Sequence, residues 1–291
     1  MVVSSPESRL LSLVRAELTE PVQPVVADMA AAIAAQHPGA RAVLFYGSCL
    51  REQQLDGLML DFYLIVEDYR TAYPKRWLAW ANRLIPPNVF PFAHEGMAAK
   101  YAVLSETDFH RLNGPETRNV SVWARFAQPS RLAWSSDSAA AERAIASVAR
   151  AAPTLLAAAG SVDGEAPLDW WRRAFALTYS VELRAERGGR AASVVDAQPD
   201  RYEAFSNPAT AAIPLAARGG QWMRRRIEGK LLTVARLTKA AFTFSGGIDY
   251  LAWKINRHAG TQIVITDWQR RHPLLAAVTL VPRLLRQGAV R

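Results

Sequence analysis

A single carboxylate inside an otherwise apolar run is the strongest constraint on how this chain can fold. Leu58 to Val66 reads LMLDFYLIV, with the aromatic and β-branched residues of a buried strand, and Asp61 stands within it. A buried carboxylate is costly unless a cation or hydrogen-bond donors answer it, so the fold must bring such groups to Asp61. Arg41 to Tyr46 (RAVLFY) is a second short apolar run and ends at Gly47-Ser48. Two buried strands therefore flank a loop. Glycine lets backbone approach a phosphate chain, serine adds a hydroxyl donor, and a strand-borne carboxylate can hold Mg²⁺ against phosphates. The arrangement suits nucleotidyl transfer, but Gly-Ser with one Asp is equally an ordinary turn beside an edge charge. Asp56, five residues before Asp61, is too distant for an Asp-x-Asp pair and reads as a loop acid.

The surrounding sequence predicts a mixed α/β unit. Val25 to Gln36 is rich in helix formers and stops at His37-Pro38-Gly39. Lys75 to Leu84 reads as a helix, Met97 to Leu104 (MAAKYAVL) as a third strand, and Ser105 with Asp108 as the cap and first turn of another helix. From about Pro115 the pattern is mostly helical. Ala139 to Ala159 is alanine-rich, and Leu168 to Glu186 carries Trp170, Trp171, Phe175 and Tyr179 on a helical repeat. Ala192 to Val195 reads as a short strand, and Asn207-Pro208 as the opening of a loop that reaches Gly219-Gly220. Three segments are expected: an α/β domain over 1–114, an α-rich domain over 115–217 completing a cleft, and a helical tail over 218–291.

Charge separates the tail from the rest. The 291 residues carry a net +9, yet residues 218–291 hold 14 Lys/Arg against 3 Asp/Glu, and residues 1–217 hold 21 against 23. The basicity therefore belongs to the last quarter of the chain and calls for an anionic partner there. Cys49 is the only cysteine, which excludes an internal disulfide and a cysteine zinc site and fits a reducing compartment. His94, His110 and the other histidines lack metal-ligand spacing. No apolar run approaches the ~20 residues of a spanning helix, and the first residues lack a secretory or transit pattern. Cytoplasmic residence is expected.

Several short segments, taken in order, resemble one family. These are Phe45-Tyr46-Gly47-Ser48, Met59-Leu60-Asp61-Phe62 with Val66-Glu67-Asp68, Lys100-Tyr101-Ala102-Val103, and Ala124-Arg125-Phe126 with Pro129. Tyr179-Ser180-Val181-Glu182-Leu183-Arg184, Gly229-Lys230-Leu231-Leu232, and Ser245-Gly246-Gly247 through Tyr250 and Lys254 follow. Together they are similar to the mitochondrial-type CDP-diacylglycerol synthases, phosphatidate cytidylyltransferases of nucleotidyltransferase fold that sit peripherally on a membrane. The resemblance implies attack of a phosphatidic acid oxygen on the α-phosphorus of CTP, releasing pyrophosphate. It implies that Gly47 and Ser48 cradle the CTP phosphates, that Asp61 and Glu182 hold Mg²⁺, and that Lys100 and Arg125 contact phosphate oxygens. Asp61, Glu182 and Lys100 would be the catalytic set. Cys49 and Ala102 depart from the family's small residues and Val181-Glu182 from its Gly-Asp, which leaves substrate choice more open than reaction class. A different phospholipid or a phosphosugar as acceptor, or a catalytically silent adaptor on membrane or nucleic acid, are the alternatives.

In the tail, Met223-Arg224-Arg225-Arg226 begins a helix with Ile227, Leu231, Val234 and Leu237 on one side, and tryptophans are scattered nearby. Basic residues with leucine and tryptophan suit an anionic membrane surface. Arg224, Arg225, Arg226, Lys230 and Lys254 are the expected lipid contacts, on the inner face of the cytoplasmic membrane. Nucleic acid is not expected, because no recognised nucleic-acid motif is present.

Overall fold

The computed structural model describes residues 6–51, 55, 57–181, 194–214, 219–243 and 265–271. In chain order the elements are α1 (Pro6–Leu18), α2 (Pro24–Ala35), β1 (Ala40–Tyr46), β2 (Met59–Val66), α3 (Tyr69–Ala72), α4 (Arg76–Leu84), β3 (Asn88–His94) and β4 (Met97–Ser105). There follow α5 (Glu106–Asn113), α6 (Trp123–Phe126), β5 (Ser130–Ser135), α7 (Ser138–Ala149), α8 (Ala151–Ala159), α9 (Pro167–Tyr179), α10 (Pro199–Ala211), α11 (Trp222–Thr243) and α12 (Asp267–Arg271). A short 3₁₀ turn, Ser48–Arg51, links β1 towards β2.

The five strands form one mixed sheet in the order β3-β4-β2-β1-β5. β2 and β4 are parallel, and the other neighbours are antiparallel. The two central runs are apolar at nearly every position because helices cover both faces of the sheet. Leu44, Tyr63, Ile65, Ala102 and Leu104 face one core with α1 and the helices from α5 to α10. Val43, Phe45, Phe62, Leu64, Val66 and Val103 alternate onto the opposite core, where α2 supplies Val26, Met29 and Ile33. Ser105 caps α5 as expected, its hydroxyl accepting from the Asp108 amide at 3.2 Å.

The expected boundary near residue 115 does not separate two cores. β5 returns from the helical region to pair with β1, and α1 packs with α7 and α10 in the same core as the sheet. One device holding this together is the reach of Arg201 on α10 to Glu17 on α1, 184 residues earlier, a nearly buried ion pair whose guanidinium also donates to the Ala127 carbonyl at 3.1 Å. The alanine-rich stretch is helical as expected, as two helices that meet at Arg150. Two local expectations are corrected. Asn207-Pro208 lies inside α10, where Pro208 is buried and the helix continues past it to Ala211. Val194 and Val195, expected in a short strand, are helical, while 192 and 193 lie outside the described residues.

The described part of the tail is docked on the body. Gly229 of α11 lies against the end of the α9 segment, where an added Cβ would come 2.9 Å from the Val181 carbonyl oxygen and nearer still to its side chain. Only glycine allows that approach. Arg226 Nε reaches Ser180 Oγ at 3.0 Å, and Arg118 pairs with Glu228 at 2.9 Å. No helix among the described residues is long and apolar enough to cross a membrane.

Candidate anion-binding site at one end of the sheet

Sheet register brings the predicted strand residues together. Tyr46 on β1 stands opposite Asp61 on β2, and Asp61 stands opposite Lys100 on β4. Lys100 Nζ lies 2.5 Å from Asp61 Oδ1, with both side chains about a quarter exposed. The carboxylate inside LMLDFYLIV is thus answered by the lysine inside MAAKYAVL. Oδ1 is shielded from solvent, and the ammonium sits at ion-pair distance without hydrogen-bond alignment. Oδ2 faces Gly47, whose φ of +96° is in the region that favours glycine; a Cβ there would come 3.3 Å from Oδ2. Gly47, Asp61 and Lys100 therefore meet at one end of the sheet.

Ser48 follows Gly47 as an exposed residue opening the 3₁₀ turn. Cys49 turns inward, with its thiol 3.5 Å from the Met59 carbonyl, and joins the core beside Phe45 and Leu60. Glu182 and Lys254, expected as a metal ligand and a lipid contact, lie outside the described residues, as does Asp56.

Beside the Asp61–Lys100 pair, on the same face of the sheet, is a cavity of about 160 Å³. At ~30 Å³ per water it holds about five waters, room for phosphate groups but not for a whole nucleotide. Tyr46, Tyr63, Val89 and Ala102 form its floor, and Lys100, Arg125, Arg236 and Lys239 ring it with four cations and no acidic lining residue. Arg125 is delivered by the short helix α6 and donates to the Ser121 carbonyl. Arg236 donates to the Ser121 hydroxyl at 3.1 Å and to the Pro86 carbonyl at 2.9 Å. Lys239 donates to the Ile85 carbonyl and, at 2.8 Å, to the Pro87 carbonyl. Burial, and secondarily the nearby Arg236 charge, pull the Lys239 ammonium down to about 7.

Such a cluster is unfavourable on its own, since each cation raises the cost of the next in a partly desolvated space. Lys100 already meets Asp61, and Arg125, Arg236 and Lys239 donate to carbonyl oxygens; an anion with several oxygens is the ligand that this lining suits. Arg236 and Lys239 were not legible as site residues, because a cation on a basic amphipathic helix reads as a solvated charge. The three-residue spacing that puts both on one helix face was the only signal.

Among the expected lipid contacts, Arg224, Arg226 and Lys230 are exposed on α11. Arg225 is corrected to an interior role. It is 7% exposed, lies over the Trp123 and Trp222 rings, and donates to the Arg118 carbonyl at 2.9 Å and the Gly220 carbonyl at 3.3 Å. Met223, Ile227, Leu231 and Val234 form an exposed apolar stripe on the same helix. His110 contacts Ser147 at 3.3 Å, and His94 stacks on Phe92, so both have ordinary structural neighbours.

No group of three or more His, Cys, Asp or Glu side chains placed to hold a metal occurs among the described residues. One strand carboxylate beside a glycine cradle still fits Mg²⁺, which is commonly held by one or two carboxylates together with substrate phosphates. In comparisons with protein-family models and with curated proteins, none matches this chain.

Proposed function

We propose that this protein is a Mg²⁺-dependent nucleotidyltransferase that moves CMP from CTP to phosphatidic acid, giving CDP-diacylglycerol and pyrophosphate. The observation that carries the reading is the meeting of Gly47, Asp61 and Lys100 at the rim of a cavity ringed by Lys100, Arg125, Arg236 and Lys239. A phosphate oxygen of the acceptor attacks the α-phosphorus of CTP, a new P–O bond forms, the bond to the β-phosphate oxygen breaks, and pyrophosphate leaves with the electron pair. Such a reaction asks the protein for alignment and charge neutralisation more than for covalent chemistry.

In this scheme the Gly47 backbone and the Ser48 hydroxyl hold the nucleotide phosphates. Asp61, with Glu182 as a second carboxylate, would hold Mg²⁺, which supplies Lewis acidity at the phosphate oxygens. Lys100 turns from Asp61 towards phosphate as the ligand enters. Arg125, Arg236 and Lys239 neutralise the negative charge crowding around two reacting anions. A lipid acceptor is favoured over a phosphosugar by the exposed stripe of Met223, Ile227, Leu231 and Val234 with Arg224, Arg226 and Lys230 beside it, an arrangement suited to peripheral contact with an anionic bilayer.

The test is incubation of labelled CTP, Mg²⁺ and phosphatidic acid with the full chain, followed by separation of lipid products. Labelled CDP-diacylglycerol is expected. Its absence, with label appearing instead on a phosphosugar or another phospholipid, would reassign the acceptor; no labelled product with any acceptor would overturn the transferase reading.

A further inference from the structure

The helix α4 is inside out. Both of its tryptophans, Trp77 and Trp80, and its last leucine, Leu84, are 46, 59 and 75% exposed, and their i, i+3, i+7 spacing places them on one stripe. The face turned to the protein buries Ala79 and Asn82, with Leu78 partly buried against the core. Polar bonds hold that face. Asn82 Nδ2 donates to the Val103 carbonyl at 2.9 Å, the Asn88 amide donates to Asn82 Oδ1, and Asn88 Nδ2 donates to the Leu78 carbonyl at 3.0 Å. A helix that only packed on the sheet would bury its tryptophans and expose its asparagine.

We infer that the α4 stripe is a second membrane-contact surface, seating Trp77, Trp80 and Leu84 in the headgroup layer of an anionic bilayer. Charge selects this occupant. Lys75 at the cap and Arg76 and Arg83 on the helix are exposed, and α4 contains no acidic residue. Arg76 and Arg83 are seven residues apart and so run along one flank of the stripe. Asp68 meets Arg83 at 3.8 Å in a pair about half exposed on both sides, the one ion pair of these three cations among the described residues, which leaves the flank cationic. Tryptophan beside arginine and lysine is the composition that settles at the level of lipid headgroups.

The position of the stripe gives it a use. Ile85 and Pro86 follow Leu84 directly, Pro87 lines the cation-ringed cavity, and the carbonyls of these three residues are held by Arg236 and Lys239 of α11. A headgroup drawn under α4 is therefore one turn of chain from the cavity. This surface goes beyond the transferase reading and stands without it, since it follows from exposure and charge alone.

The test places an environment-sensitive fluorophore at Trp80→Cys in the full chain, where Cys49 is buried and does not compete for label. Vesicles of phosphatidylcholine with phosphatidylglycerol are expected to shift its emission to the blue, pure phosphatidylcholine vesicles much less, and added salt should reverse the shift. The same probe at Val162→Cys, exposed in the connection between α8 and α9, should not respond. Joint replacement of Trp77, Trp80 and Leu84 by alanine should weaken vesicle binding at least about tenfold while leaving CTP binding and the thermal midpoint unchanged. No shift at position 80 with anionic vesicles, or undiminished vesicle binding by the triple variant, would overturn the inference. A blue-shifted probe before vesicles are added would overturn it too, by showing that protein covers the face. Phosphatidylglycerol is used so that substrate recognition plays no part in the result, and a failure of CTP transfer would leave these outcomes intact.

Discussion

Replacement of Lys239 by methionine keeps most of the side chain's length and removes its charge from the cavity. Burial and Arg236 lower the Lys239 ammonium from 10.5 to about 7, so between those values the unfolded chain binds more protons than the folded one. Stability then rises with pH across that window, by up to ~1.4 kcal/mol per unit from this residue alone. From pH 7.5 to pH 9.5 the contribution is about 2.5 kcal/mol. Methionine cannot donate to the Ile85 and Pro87 carbonyls, which imposes a cost that does not vary with pH. The diagnostic is therefore the pH dependence of the difference between the two proteins, not its sign at one pH. Urea unfolding of both proteins at several pH values should show the wild type gaining on Lys239→Met as pH rises from 7.5 to 9.5. An anion in the cavity favours the ammonium, so inorganic triphosphate at pH 8 should bind wild type with proton uptake, read as a calorimetric enthalpy that changes with the buffer's ionisation enthalpy. A stability difference that is flat with pH, together with no proton uptake, would refute the placement of Lys239 as a desolvated cation facing an anion site.

Three further outcomes follow from the same geometry. Gly47→Ala forces an alanine to φ +96° and sets its Cβ 3.3 Å from Asp61 Oδ2; a stability loss of about 1–2 kcal/mol and a much larger loss of nucleotide binding are expected in unfolding and binding assays. Arg225→Met leaves the Arg118 and Gly220 carbonyls without their donor and should cost about 1–3 kcal/mol by urea midpoint, whereas Arg224→Met on the exposed side should cost almost nothing. Arg201→Met strands Glu17 in a nearly buried position and should destabilise by about 3–5 kcal/mol, far more than loss of the exposed Arg172–Asp169 pair.

The sheet centre and the residues that meet at the candidate site were readable because their signals are local. An apolar run with one carboxylate, another with one lysine, and a Gly-Ser after a third run each needed a partner, and strand register supplies the pairing of Asp61 with Lys100. β3 and β5 were not read. β3 contains Pro91, tolerated because this strand lies at the sheet edge, and β5 is short and flanked by helical sequence. The boundary near residue 115 was drawn for a similar reason, since the pairing of β5 with β1 and the packing of α1 on α7 and α10 join the two regions through contacts distant in sequence. Arg225, Arg236 and Lys239 share the appearance of surface charge with Arg224 and Lys230. Their burial comes from what α11 packs against, the Trp123 region and the Ile85–Pro87 corner, and one sequence does not encode that neighbour in any local pattern. The same limit hid α4, where the helix itself was legible but the outward turn of its tryptophans was not.

The most direct test of the central claim compares CTP labelled at the α-phosphorus with CTP labelled at the γ-phosphorus, each incubated with phosphatidic acid and Mg²⁺. The account predicts that α-label enters the lipid fraction while γ-label leaves as pyrophosphate. Asp61→Asn should cut the α-transfer rate by about 10²–10³-fold without altering the fold. Transfer of γ-label to the acceptor, or α-transfer undiminished in Asp61→Asn, would contradict it.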